Sequence, residues 1–142
     1  MSNKAISLVL GSGGARGLAH VGVIRWLEEN DHEIRSISGC SIGSLIGGAY
    51  ATGKLDAVVE WMESFTKKEI YSMLDLSFTW NSLVKGDKMM AAIQSKIGTD
   101  LIEDLPIKFT AVAADIAAEK EHWFQSGPID QAIRASVSLP LF

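Results

Sequence analysis

Residues 34–53, IRSISGCSIGSLIGGAYATG, decide the fold. Ile34 to Ser38 reads as a short strand, Gly39 to Gly43 as a glycine-bounded turn, and Ser44 to Thr52 as a small-residue helix stopped by Gly53. The same order stands just upstream. Ala5 to Leu10 is a mostly apolar run, suited to a strand buried in a parallel sheet. Gly11-Ser12-Gly13-Gly14 breaks it, and a helical pattern of Leu18, Val21, Gly22, Val23, Ile24 and Leu27 follows, closing in Glu28-Glu29-Asn30. Strand, glycine turn and helix therefore occur twice. That pattern predicts an α/β sheet whose working loops lie at the carboxyl ends of its strands. If the two strands are parallel neighbours, both glycine turns meet at one rim.

Further along, Leu55, Val58, Val59, Met62 and Phe65 mark an amphipathic helix. Residues 70–84 are apolar and aromatic without a clean period. Asp87 is expected to cap a helix to about Ile97, with Met90, Ile93 and Ile97 on one face and Gly98 ending it. Ile107 to Ala113 is a strand, Asp115 to Lys120 a polar turn, and Glu121 to Gln125 the returning strand. Pro128 stands near the first position of a short helix.

Composition narrows the function classes. The 142 residues are one domain's worth, 47% apolar, with 13 Lys+Arg against 17 Asp+Glu and a net charge of -4. An acidic chain without a basic run excludes nucleic acid as a partner and simple electrostatic docking on an anionic membrane. One cysteine makes no internal disulfide, and no Cys/His cluster has metal spacing, so neither metal nor cofactor is expected. The apolar stretch near the N-terminus is too short for a signal peptide, which makes the cytoplasm the expected compartment. The apolar end LPLF has the look of a chain cut in mid-domain.

Gly39-Cys40-Ser41-Ile42-Gly43 fits the G-x-S-x-G nucleophile elbow. There a serine sits on a strained strand-to-helix turn, small neighbours let the backbones pass, and the helix N-terminus favours an oxyanion. The plain alternative is a βα turn with a capping serine. Three readings compete for Gly11-Ser12-Gly13-Gly14-Ala15-Arg16-Gly17. A dinucleotide loop needs G-x-G-x-x-G, but Arg16 occupies the third glycine position. A P-loop needs Gly-Lys-Ser/Thr at its end, where this chain has Arg16-Gly17-Leu18. The third reading is an oxyanion hole facing Ser41, which needs only converging N–H groups. Arg16 opposes the helix dipole and either supports an anionic group or is simply solvated.

The chain resembles the patatin-like phospholipase family, above all its bacterial members. The resemblance rests on GSGGARGLAHVGVIRWLEE and SGCSIGSLIGGAYATG, with FTAVAADI and IRASVSLPLF in support, and covers most of the chain. It implies a three-layer α/β/α fold with a mostly parallel central sheet, residues 1–142 being an incomplete patatin-like domain. It also implies a serine hydrolase of acyl lipids working through a Ser/Asp dyad. Ser41 would be the nucleophile, Gly13 and Gly14 the oxyanion hole, and Arg16 the family's motif arginine. The partners so implied are a lipid or other ester and a peripheral membrane contact.

Two departures stand out. Ser12 replaces a glycine common in relatives. More important, the family's aspartate lies in a D-G-G or D-G-A motif after the segment matching ASVSLPLF, and no such motif exists in these 142 residues. The base is therefore expected beyond residue 142, and the chain alone is expected to be inactive. Among other candidates, Asp115 matches a structural aspartate of the family, Asp130 reads as a cap or surface charge, and His20 as a packing or hydrogen-bonding residue. His32 and His122 fall at surface positions, and Cys40 reads as a small buried thiol. Tyr71, Met73, Leu74, Phe78, Trp80 and Leu83 are candidates for an acyl pocket or cap, or plain core. A non-catalytic binding module, or a fragment completed by a second polypeptide, is the alternative from another class. A nucleotide-binding domain comes third.

Overall fold

The structure is a computed structural model that describes residues 4–66, 68–69 and 82–138, the side chains of residues 82–86 and 88 excepted. The aromatic run from Tyr71 to Trp80 and the side chain of Leu83 lie outside that description.

Four strands form one sheet in the order β1 (Lys4–Leu10), β2 (His32–Cys40), β3 (Lys108–Asp115) and β4 (Lys120–Phe124). The first three are parallel, with Leu10 opposite Gly39 and Cys40 opposite Val112. β4 returns antiparallel, with Ala111 opposite Phe124. A 3-10 turn (Gly14–Leu18) and α1 (Ala19–Glu29) join β1 to β2. The helices α2 (Ile42–Ala51), α3 (Leu55–Glu63) and α4 (Ser82–Ile97) fall between β2 and β3, and α5 (Ile129–Val137) follows β4.

Because β1, β2 and β3 stand in chain order, right-handed crossovers both step the same way and bring their helices to one face. Ile37, Phe109 and Ala111 line that face, all but inaccessible to solvent. Every residue from Ile42 to Ala49 in α2 is buried. Its Gly47 lies beside Ile37 and Phe109, and its Gly48 beside Ile129 and Ile133 of α5. Burying an isoleucine such as Ile37 or Ile46 stabilises by about 1.5–3 kcal/mol. On the opposite face Val9 is 79% and Trp123 60% exposed. The fold class is thus as expected, α/β with a mostly parallel sheet; of the three layers expected, the described residues supply the sheet and one helical layer.

Local boundaries differ from the periodicity at several helix ends. The expected first helix splits into the 3-10 turn and α1 at Leu18. α4 starts at Ser82, so Asp87 is inside the helix rather than its cap, and pairs with Arg134 of α5. Pro128 is the N-cap of α5, directly before its first helical residue, near the place expected. α2 ends as predicted at Gly53, whose φ of +71° turns the chain. The N–H of Gly53 donates to Tyr50 (2.9 Å) and that of Lys54 to Ala49 (2.7 Å), a Schellman arrangement.

Candidate active site

Ser41 is the residue between the end of β2 and the start of α2, and its backbone has φ 54° and ψ -122°. A positive φ is uncommon outside glycine, and at a non-glycine residue it costs about 1–3 kcal/mol and persists only where the surroundings hold it. Here they do. The Ser41 carbonyl accepts the N–H of Ser44 at 2.9 Å and of Leu45 at 3.2 Å. It also accepts the hydroxyl of fully buried Ser44 at 2.7 Å. On its other side, the Ser41 N–H donates to Ser136 Oγ at 2.8 Å.

The glycines of the motif are there for backbone passage. A Cβ on Gly39 would lie 2.6 Å from the Ser44 nitrogen. A Cβ on Gly43 would overlap the Leu10 carbonyl oxygen and lie 2.8 Å from that of Gly11. The start of α2 therefore rests directly on the peptide that opens the glycine turn. Gly17 adds a second seam, since a Cβ there would overlap Ile42 Cγ2. The two turns thus abut at one rim of the sheet, as the parallel pairing of β1 and β2 requires.

In the glycine turn, Gly13 precedes the 3-10 turn and Gly14 has φ 54°. The Gly13 carbonyl accepts the Arg16 N–H at 3.2 Å. Among the described residues the N–H groups of Gly13 and Gly14 have no hydrogen-bond acceptor in the protein. His20 Nε2 bonds the Gly11 carbonyl at 2.9 Å and so fixes the entry to the turn. Arg16 is exposed and makes no ion pair among the described residues.

The other candidates stand apart. Asp115 ends β3 at the same rim, but its Oδ1 accepts the Ala118 N–H at 3.0 Å and so shapes the β3–β4 turn. Asp130, expected as a cap or a surface charge, is only 9% exposed, in the first turn of α5, and accepts from Gln94 Nε2 at 2.9 Å. His32 stacks near Trp26 at the far end of β2, and His122 beside Phe124 on β4. Cys40 is half-buried rather than buried. Among the described residues no group of His, Cys, Asp and Glu could hold a metal ion. Ser44 and Ser136, neither of them a sequence candidate for the site, both hold Ser41. Ser44 had a local signal, three residues after the elbow serine. Ser136 had none, since its partner is 95 positions away.

A sequence model of patatin-like phospholipases matches residues 8–142. The chain belongs to the patatin-like phospholipase family. This patatin-like chain is similar to an uncharacterized NTE family protein of Mycobacterium tuberculosis, 45% identical over 139 residues. That match takes in 98% of the chain and 39% of the mycobacterial protein. A patatin-like phospholipase domain-containing protein of Caenorhabditis elegans is 40% identical over 147 residues, 98% of the chain and 11% of that protein. A lysophospholipase of Candida albicans is 36% identical over 143 residues, again 98% of the chain but 10% of that protein. The patatin-like chain therefore spans well under half the length of these relatives. No helix among its described residues is long and apolar enough to cross a membrane.

Proposed function

We propose that this chain carries the nucleophile and oxyanion hole of a serine hydrolase acting on acyl lipids, with lysophospholipids the first substrates to try. The observation that carries the reading is the strained backbone of Ser41, at the N-terminus of a helix seated on the glycine turn. Ser41 Oγ attacks the ester carbonyl and gives up its proton to a carboxylate. The negative charge that develops on the carbonyl oxygen is held by the N–H groups of Gly13 and Gly14, aided by the positive end of α2. Loss of one such donor typically costs about 2.7–4 kcal/mol of transition-state stabilisation. The leaving alcohol departs with a proton, and water hydrolyses the acyl-enzyme. Arg16 supports the loop or an anionic group of the substrate.

The family relationship and the lysophospholipase names of the fungal relatives support the substrate class. No Asp-Gly-Gly or Asp-Gly-Ala occurs in the 142 residues, and Asp115 is engaged in a turn. We infer, as the family resemblance implies, that the carboxylate base lies outside these residues. The 142 residues alone then turn over esters only at a trace level, from binding and the oxyanion hole.

The test is hydrolysis of a lysophospholipid and a p-nitrophenyl ester by the polypeptide of the complete reading frame. Ser41→Ala is expected to lower kcat by roughly 10³-fold or more with the fold intact. Turnover unchanged by Ser41→Ala would sink the assignment. So would full turnover by residues 1–142 alone, as far as the base is concerned.

A further inference from the structure

Ser136 lies in the last turn of α5 and is 8% exposed. Its hydroxyl donates to the Val112 carbonyl of β3 at 2.6 Å, and its Oγ accepts the Ser41 N–H at 2.8 Å. A hydroxyl has one proton and two lone pairs. With the proton committed to Val112, the oxygen is left as an acceptor facing Ser41. One side chain so joins α5, the middle of the sheet and the elbow.

We propose that Ser136 is a positioning residue for the nucleophile, holding the Ser41 peptide in its strained conformation through the backbone N–H. The role rests on the hydrolase reading above. The carbonyl of Ser41 is held from within α2, by Ser44 and Leu45. The N–H, in contrast, is held by another element, and without that acceptor the φ of Ser41 is less constrained. A change in that φ turns the Cα–Cβ bond and moves Oγ relative to the glycine-turn amides. A second consequence concerns the oxyanion. The Ser41 amide is occupied, so the oxyanion donors must come from the glycine turn and the first residues of α2.

The experiment uses the polypeptide of the complete reading frame, with p-nitrophenyl ester hydrolysis and amide hydrogen exchange at Ser41 as readouts. Ser136→Ala is expected to lower kcat by about tenfold or more with KM within about twofold, because placement of Oγ matters more in the transition state than in binding. Ser136→Thr keeps the hydroxyl and is expected to restore kcat to within about threefold. Exchange protection of the Ser41 amide should fall by about tenfold in Ser136→Ala and recover in Ser136→Thr. Unchanged kcat, or unchanged Ser41 protection, in Ser136→Ala would overturn the role. Equal losses in the two variants with melting temperatures like the parent's would also do so. A parallel Ser41→Ala control separates the two levels: if that variant remains active, the hydrolase reading fails, and the positioning role fails with it.

Discussion

At the residue scale the elbow is a problem of missing atoms. Gly43 has no room for a Cβ because the Leu10–Gly11 peptide occupies the space, and backbone cannot be moved aside as a side chain can. Gly43→Ala should cost about 2–3 kcal/mol, read as a lower urea midpoint at constant m-value. Gly22 gives the opposite case. It lies inside α1 with nothing near its Cβ direction. Gly22→Ala should stabilise by about 0.5–1 kcal/mol, because alanine loses less backbone entropy in a helix. A midpoint that rises for Gly43→Ala, or falls for Gly22→Ala, would show that backbone proximity does not set these costs. The need for glycine at 39 and 43 was legible in the motif spacing, because the clash is with atoms a few residues along or one strand away. The use of Ser136 was not, because sequence spacing says nothing of contacts between distant elements.

At the element scale, helix ends decide the outcome. α2 closes on Gly53, and the next residue, Lys54, reaches across to the end of α4. There its Nζ donates to the Ile97 carbonyl at 2.6 Å and lies 3.5 Å from Asp100. A cation at a helix C-terminus meets unpaired carbonyls and the negative end of the dipole. Lys54→Met should therefore cost about 1 kcal/mol in urea unfolding. Tyr50 ties α2 to α1 by donating to Glu28 at 2.9 Å. Partial burial first, and then the Glu28 carboxylate, push the Tyr50 pKa up to about 12. A folded-state value above the unfolded one means that stabilisation is complete below about pH 10 and drains away as pH climbs toward 12. Tyr50→Phe should flatten that alkaline loss, measured as urea midpoints from neutral pH upward; an equally steep fall in the variant would count against it. The stop at Gly53 was legible, since glycine just past a helical pattern favours a left-handed residue. The start of α4 was not, because a capping-type aspartate at 87 competed with a helix that passes through it.

At the scale of the whole molecule, the doubled strand–turn–helix pattern was enough for the α/β class and for the parallel pairing that joins the two turns. What periodicity left open is which face each helix covers, since strands with both faces apolar and strands with one covered face read alike when short. The described helices share one face, and Val9 and Trp123 are exposed on the other. With a pI near 5.3, charge repulsion vanishes in mildly acidic buffer while those apolar groups remain. Static light scattering of residues 1–142 should therefore peak near pH 5.3. The neutral double change Val9→Thr with Trp123→Gln should lower the peak without moving it; an unchanged peak would clear that face of any part in association.

The order of the sheet has a consequence in time. Strands that neighbour one another in space also follow one another along the chain, so β1, α1, β2 and α2 can assemble while later residues are still being translated. Yet the hydroxyl that secures the Ser41 amide arrives 95 residues afterwards. A nascent chain would carry a formed elbow whose Ser41 amide stays unfastened until α5 clears the ribosome.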